Sequence, residues 1–399
     1  MVDEQVAIVG GGLVGKAAAL ALAQAGLSVV LCGARDAAPP PASGFAQRIY
    51  ALNAASRQLL QRLRAWEQIP AGRVQPVQAM RIAADGAALG FDAYAQRVES
   101  LAWIVEADAI ERALDLALRF ERGVRGLAGL VVGARRGEAG WELDLDDGSS
   151  LRAALLVGAD GRASRVRAWG GIGLRSRSYG QTALVCNFVT AAPHGACALQ
   201  AFTADGGVLA LLPLPDVGDE HQVSLVWSAP DELAARLREG TAEELAARVQ
   251  EQLPLLDAQR MAPLRPAGAV GAWPLLLQRA HSVVGEAVAL LGDSAHVVHP
   301  MSGHGLNLGL QDVQALAAVL GRRAAGESPG AAQVLQRYAR ARAEQVLAMQ
   351  LATDGLHRLY APGLQWLAPL RALGLSLVDH LPPLKALLAG YASGRSVLS

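Results

Sequence analysis

Val6-Ala7-Ile8-Val9 is a short apolar run that flows into glycine, the pattern of a strand buried on both faces. An Ala-rich helix reaching Ala25 follows, Gly26 ends it, and Val29-Val30-Leu31 reads as a second buried strand. Residues Ala17 to Ala34 carry no charge over 18 positions, the minimum length for a membrane span. Gln24, Gly26 and Ser28 interrupt that run, and its composition turns from Ala/Leu to Val at Gly26. Helix, turn and strand account for it better than a span. Asp36 to Gly44 holds three consecutive prolines and reads as a surface loop.

Further along, the spacing predicts helices over roughly 54–66 and 107–122, with short alternating segments at 80–82 and 89–94 between them. A meander at 129–132, 141–145 and 151–153 turns at Asp147-Gly148, and Leu155-Leu156-Val157 then runs into Gly158-Ala159-Asp160-Gly161. The pattern from Leu174 to Val226 is strand-like and marks a second, sheet-based domain. Residues 231–252 read as helix, and Ala287–Leu291 as a buried strand ending in Gly292-Asp293. The remainder is helical, over 305–323 and 330–359, then in pieces broken by Pro362, Pro369 and Pro382-Pro383. The expected division is interleaved. A first domain takes 1–71, 101–173 and 279–328, a second takes 72–100 and 174–278, and a helical region fills 329–399.

Composition narrows the function classes. Hydrophobic residues are 52% and charged residues 18% of 399, so general disorder is excluded. Lys+Arg 36 against Asp+Glu 36 leaves no basic footprint for nucleic acid. Lysine stands only at 16 and 385, so 36 − 2 = 34 of those cations are arginines, which suits a base-composition bias. Cys32, Cys186 and Cys197 have no metal spacing and cannot all pair within the chain, which fits a reducing compartment. The acidic start Met1-Val2-Asp3-Glu4-Gln5 lacks the basic flank of a secretory signal, so a cytoplasmic location is expected.

Gly10-x-Gly12-x-x-Gly15 sits between a strand and a helix, the context a dinucleotide needs. The first glycine permits the tight turn, the second lets backbone approach a pyrophosphate, and the third lets helix pack on strand. The acid expected at the end of the second strand, which would hold the adenosine ribose, is replaced by Gly33, with Asp36 the nearest carboxylate in the loop. Two further segments follow strands: Gly158-Ala159-Asp160-Gly161-Arg162, and Gly292-Asp293-Ser294-Ala295-His296 continuing through His299-Pro300 and Gly303-His304-Gly305-Leu306-Asn307 to Asp312. In this order the three resemble the signatures of class A flavin-dependent aromatic hydroxylases, the para-hydroxybenzoate hydroxylase fold, over essentially the whole chain. Ser178-Tyr179-Gly180-Gln181, Trp227-Ser228, Ala352-Thr353-Asp354-Gly355-Leu356, Leu381-Pro382-Pro383-Leu384-Lys385 and Arg48-Ile49-Tyr50-Ala51-Leu52 look like the ubiquinone-biosynthesis branch. Two details depart from that branch: Gly303-His304-Gly305 replaces Gly-Gln-Gly, and Asp108 replaces an arginine after Val105-Glu106.

The resemblance implies an α/β fold with a GxGxxG-type FAD-binding domain, an interleaved mixed β-sheet substrate domain and a helical C-terminus. It implies FAD as cofactor, NAD(P)H as reductant and molecular oxygen as co-substrate, with hydroxylation of a polyprenylated phenol through a C4a-hydroperoxide. Such a species loses peroxide in water, so the site must be closed and largely apolar. The cofactor residues implied are Gly10, Gly12, Gly15, Arg48, Asp160, Gly161, Asp293, Gly303, Gly305 and Asn307, with Pro300 flanking the oxygen-addition site. His304 is a candidate proton relay, since imidazole titrates near neutrality. Plainer roles stay open: Asp293 as a helix cap, Asp160-Gly161 as a strand-end turn, and Arg48 as a solvated arginine. The spacing of His296, His299 and His304 is not a helical metal face, so no metal is expected. The C-terminal stretch 356–392 either packs as core or offers an interfacial face to a lipid-tailed substrate, a peripheral contact on the inner face of a membrane. Two rivals remain: hydroxylation of a small soluble aromatic, and a non-catalytic role in a quinone-biosynthesis complex, which Gly33 and Asp108 favour. A flavin halogenase is disfavoured because no lysine lies between Lys16 and Lys385.

Overall fold

A strand that is apolar at every position has no face to offer water, so it comes to rest inside a sheet with helices on both sides. Val6, Ala7 and Ile8 are fully buried, as are Leu155, Leu156 and Val157. The computed structural model describes residues 3–39, 41, 44–138, 140–299, 305–360 and 368–380. The chain opens with β1 (Asp3–Val9), α1 (Leu13–Gln24) and β2 (Val29–Cys32). β3 (Ile49–Leu52), α2 (Ala54–Arg62) and β4 (Val74–Val77) lead to a hairpin of β5 (Ala79–Ala84) and β6 (Ala87–Asp92), then to β7 (Ala102–Glu106) and α3 (Ala107–Phe120). β8 (Val124–Leu127), β9 (Val131–Arg136), β10 (Trp141–Leu145), β11 (Ser150–Gly158) and α4 (Arg165–Trp169) come next. Then come β12 (Leu174–Thr190), β13 (Cys197–Phe202), β14 (Val208–Val217) and β15 (Glu220–Pro230), with α5 (Asp231–Glu239) and α6 (Ala242–Gln250). β16 (Arg265–Pro266), β17 (Gly271–Ala280), β18 (Val284–Gly285), β19 (Val288–Leu290) and β20 (His296–Val297) precede α7 (Gly305–Gly321), α8 (Ala332–Leu359) and α9 (Ala368–His380).

Two large sheets organise these elements. The first runs β18-β19-β11-β1-β2-β8, parallel from β19 to β8, with β10 and β9 added antiparallel beside β11. The second runs β20-β17-β12-β15-β14-β13-β5-β6 and is antiparallel except where β13 meets β5. A three-stranded sheet, β3-β7-β4, packs against β14 of the second. The mixed α/β architecture is therefore the one the sequence led us to expect.

Several boundaries differ, each for a local reason. The helix expected over 231–252 is two helices, because Gly240 is extended and Thr241 starts α6 with a capping box to Glu244. The helix expected to reach Trp66 stops at Arg62, with Arg64 in a left-handed turn at φ 57°. The apolar 17–34 run resolves into α1, a turn and β2, and no helix among the described residues is long and apolar enough to cross a membrane.

Lys16 has a structural task that its rarity did not reveal. Its ammonium is buried and reaches Asp115 at 2.6 Å, Glu111 at 2.9 Å and the Arg35 carbonyl at 2.8 Å. It clamps α1, α3 and the loop after β2 together.

His194 supports the turn that joins β12 to β13. Its Nε2 lies 2.8 Å from the Leu214 carbonyl, and its Nδ1 accepts the Ala196 N–H at 3.0 Å, so the neutral ring is the one that fits. Burial pushes its pKa down; the Leu214 carbonyl and Asp216 oppose this, and His221 adds to it. A histidine with a lowered folded-state pKa stabilises the fold fully above about pH 6.5, and that share is lost as pH falls towards the folded value. The melting temperature is expected to drop between pH 7 and pH 5 more steeply in the parent than in His194→Asn, which keeps an acceptor for Ala196. Calorimetry across that range checks it.

Candidate active site

Three segments far apart in sequence meet at the C-terminal ends of β1, β11 and β19. Gly10 follows β1 with φ 121°, and a Cβ there would lie 2.2 Å from the Ala159 carbonyl oxygen. A Cβ on Gly15 would lie 1.8 Å from the Gly10 oxygen, so backbone packs directly on backbone. On the other side, a Cβ on Gly309 would meet Val14 at 2.8 Å and the Gly292 Cα at 3.2 Å. The Ser294 hydroxyl donates to the Gly158 carbonyl at 2.6 Å, and the Leu291 N–H donates to the same oxygen at 2.9 Å. These contacts close three walls. Gly12, Gly161 and Gly305 differ: among the described residues, a Cβ on any of them would meet nothing within 4 Å. Open backbone therefore lines the cradle at the N-termini of α1 and α7, where helix N–H groups lack partners within the helix.

The carboxylates at this cradle divide their work. Asp160 Oδ2 accepts the N–H groups of Arg165 at 2.7 Å and Val166 at 3.1 Å, capping α4. Its Oδ1 is buried without a partner among the described residues. Asp293 keeps solvent contact at the mouth of the cradle while protein closes in on its other sides. Burial raises its pKa, with His296, Arg48 and Arg162 opposing the rise. Arg48 lies with its guanidinium 5.3 Å from the Tyr50 ring centre. The Asn307 amide accepts from the Asn53 N–H and the Ser56 hydroxyl and donates to the Ala51 carbonyl, so it fixes the β3–α2 corner against α7. Open backbone at two helix starts, an unpartnered carboxylate oxygen and a second accessible carboxylate fit a pyrophosphate and a polyol chain, the polar parts of FAD. Pro300, Gly303 and His304 lie outside the described residues.

Other supporting residues were not among the cofactor residues expected from sequence. Glu106, 1% exposed, accepts the Ala46 N–H at 2.6 Å and pairs with Arg73 at 3.0 Å; Arg73 also donates to the Gly44 carbonyl. Asn187 on β12 donates to the Phe45 and Ala46 carbonyls. The segment that carries Arg48 is thus held from the three-stranded sheet and from the second large sheet. Asp312 accepts from Gly292 N–H at 2.8 Å, lies 2.7 Å from His296 Nε2 and pairs with Arg342 at 2.6 Å. Burial alone would raise its pKa, yet His296, Arg342 and the Gly292 hydrogen bond hold it below the usual carboxylate range. The spacing of Tyr338 and Arg342, four apart on a helix face, was the available signal, since Tyr338 also donates to the Leu290 carbonyl. His299 pairs with Gln181 at 2.9 Å.

The departures from the family pattern also have local explanations. Gly33 is left-handed at φ 77°, a conformation that strains any side chain. Asp36 is 86% exposed and 3.8 Å from Arg119. Asp108 sits in the first turn of α3, where its charge suits the helix dipole. Burial pushes the Cys32 and Cys186 thiols up to about 11, so neither is a nucleophile at neutral pH.

The second sheet supplies the opposite wall. Leu184, Cys186, Leu209, Leu211, Val223, Leu225 and Trp227 pack against α5 and α6. Strand alternation turns their neighbours to the other face, where Asn187 meets the 44–46 segment and Gln181 meets His299. Across that inner face the register sets Trp273, Ala183, Ser228, Val208 and Phe202 in one row. Beside it stand Val185, Val226 and Ala210. Val226, Ala210 and Leu212 keep partial exposure. The inner face is therefore built of small side chains, with an aromatic residue at each end of the row.

Asp293→Asn is expected to weaken FAD binding about tenfold or more, the scale of one hydrogen bond to a charged group. It should also raise the stability of the cofactor-free protein at pH 7, because a carboxyl with a raised pKa costs stability as pH climbs through the ordinary value to the folded one. Flavin titration and melting curves read the two opposite signs. Arg342→Leu, which strands a buried Asp312, is expected to cost about 3–5 kcal/mol, whereas removing the half-exposed Arg337 beside Glu327 should cost under about 1 kcal/mol. Denaturant unfolding compares them.

The FAD binding domain family matches residues 3–351. The chain is 36% identical to ubiquinone hydroxylase UbiL of Rhodospirillum rubrum, covering 98% of this chain and 89% of that protein. It is 34% identical to 3-demethoxyubiquinol 3-hydroxylase of Escherichia coli, covering 98% of each. Among solved structures, PqsL, a probable FAD-dependent monooxygenase from Pseudomonas aeruginosa, superposes with TM-score 0.74 at 24% identity over 90% of this chain and 97% of that one. Pseudomonas putida p-nitrophenol 4-monooxygenase PnpA superposes with TM-score 0.75 at 20% identity over the whole of both chains. A dinucleotide cradle built from three glycine motifs, facing a sheet of small apolar side chains, thus accompanies full-length similarity, and the chain belongs to the FAD binding domain family of flavin-dependent aromatic hydroxylases, in its ubiquinone-biosynthesis branch.

Proposed function

We propose that this FAD-dependent monooxygenase hydroxylates the aromatic ring of a polyprenylated phenol on the way to ubiquinone, with NAD(P)H as reductant. The observation that carries the substrate reading is the inner face of the second sheet, where Val226, Ala210 and Leu212 remain partly exposed and offer a ring small apolar contacts. When bound, FAD supplies the redox chemistry: it takes two electrons as hydride and passes one atom of molecular oxygen to a ring carbon, while the other leaves as water.

The chain's own residues make that chemistry possible by position and exclusion. Backbone at Gly12 and the α1 N-terminus would hold the pyrophosphate, and Asp293 would accept a hydrogen bond from a ribityl hydroxyl. The N–H groups at the start of α7 would face the flavin pyrimidine edge and stabilise negative charge there. Asp312, neutralised by Arg342, holds the Gly292 N–H and with it the turn that presents Asp293. The sheet excludes water from the ring and its reacting partner. Pro300 would flank the reacting edge and His304 would move a proton beside it.

A peripheral membrane contact fits the same reading. Leu370, Leu373 and Leu377 stand on one face of α9 at 62, 65 and 57% exposed, an apolar stripe on the helix that packs beside β6.

The test supplies FAD-loaded protein with NADPH, labelled oxygen gas and a mixture of a prenylated and an unprenylated phenol. One labelled oxygen in the ring of the prenylated phenol is expected, with the unhydroxylated precursor accumulating in cells that lack the gene. Preferential hydroxylation of the unprenylated phenol would instead establish the soluble-aromatic rival. Protein that stays colourless and gains no thermal stability from FAD would establish the non-catalytic one.

A further inference from the structure

His296 and His299 stand three residues apart and bond to different parts of the protein. Their segment starts as β20 at the edge of the second sheet, where His296 pairs with Arg279 and Val297 with Gln278. His296 Nε2 lies 2.7 Å from Asp312 on α7, the helix that packs on α1 of the cradle. His299 Nε2 lies 2.9 Å from Gln181 Oε1 on β12, in the second sheet. Between the two histidines, Val298 packs with Leu308 in the first turn of α7 and with Met349 on α8. Residues 296–299 therefore form a strap, moored to the flavin side at one end and to the inner face of the sheet at the other.

The Gln181 amide decides how His299 is held. Its nitrogen donates to the Gly206 carbonyl at 2.9 Å, in the turn between β13 and β14. Its oxygen is left to face His299, so the imidazole presents Nε2–H and donates. Reversing the amide would set its oxygen against the Gly206 oxygen, acceptor on acceptor. His299 is fully buried and Gln181 is 6% exposed, so neither can exchange its partner for water. Tyr179 meets the His299 ring edge-on, with centres 4.8 Å apart and planes at 88°. β12 carries a bulge between Ser178 and Thr182, with Gly180 left-handed at φ 66°, and a bulge of this kind re-aims the side chains beside it.

We infer that Gln181 is a positioning residue for ring hydroxylation: by locking His299 it fixes the strap, and with it the gap between the inner face and the N-terminus of α7. The inference rests on the proposed function and adds the residue that sets the spacing of the two halves of the site. Ala183 is the next residue along the same face of β12, and Val298 ties the strap to the start of α7. A strap released at His299 lets ring and flavin draw apart and admits water between them. Molecular oxygen then takes the two electrons of the nicotinamide and two protons and leaves as hydrogen peroxide, in place of one atom entering the ring and the other leaving as water.

Gln181→Leu and His299→Leu break the bond from either side, and His299→Gln keeps an N–H donor where Nε2 stands. With FAD-loaded protein, NADPH and a prenylated phenol, the ratio of peroxide to hydroxylated phenol is expected to rise about tenfold in each leucine variant. In His299→Gln it is expected to stay near the parent value. Both products come from the same folded molecules, so a loss of folded protein leaves the ratio unmoved. The visible circular dichroism of the bound flavin, recorded without phenol, is expected to change in the leucine variants and to match the parent in His299→Gln. A parent-like ratio and spectrum in whichever leucine variant folds would overturn the inference. So would an equal rise in His299→Gln, because the bond would then not be what holds the strap. If the parent hydroxylates no phenol, the substrate reading fails instead, and the dichroism alone decides the role of Gln181.

Discussion

Everything at the active site depends on how closely backbone approaches backbone where β1, β11 and β19 end. Gly10 lies against Ala159, Gly15 against Gly10, and Gly309 against Gly292, each at a distance that a methyl group would close. Parallel strands all end on the same edge, and the first turns of their following helices can converge only if those turns are bare. Once they converge, the N-termini of α1 and α7 face one space, and a dinucleotide has a place to lie. A side chain at Gly10 or Gly15 would push the helix off the strand before any cofactor arrived.

Around this constraint the protein arranges its charges by burial. The exposed arginines form surface pairs of small individual worth, such as Arg135 with Glu142 and Asp144. Two buried groups do more. Lys16 ties α1 to α3 behind the cradle, and Asp312 ties the Gly292 turn to α7 and α8. Both sit where an unpaired charge would be costly, so each holds its partners in one arrangement. The Asp312 network also shows how α8 serves the cofactor site without touching it: Arg342 offsets the charge that fixes the turn.

The three-stranded sheet meets the second large sheet through the segment before Arg48, gripped by Glu106 and Arg73 on one side and by Asn187 on the other. That grip covers the Asn187 end of the inner face. It also explains why polar residues on the inner face gather near Asn187 and Ser224, under the covering segment, while Val226, Ala210 and Leu212 remain open. Water exclusion and ring binding come from the same division.

Much of this was legible in the chain itself. Apolar runs ending in glycine announced β1, β11 and β19, and the three motifs in order pointed to flavin, because glycine spacing and strand ends are local properties. The switch from Ala/Leu to Val at Gly26 separated a helix from a strand where hydropathy alone suggested a span. What stayed hidden was pairing between distant residues. Nothing near Lys16 in sequence indicates Asp115, nothing near Asp312 indicates Arg342, and the row from Trp273 to Phe202 exists only through strand register. Local sequence sets which segments are buried and where the backbone turns. Which side chains then face one another follows from how sheets and helices pack, and that packing is the sum of many weak contacts no single stretch of sequence contains.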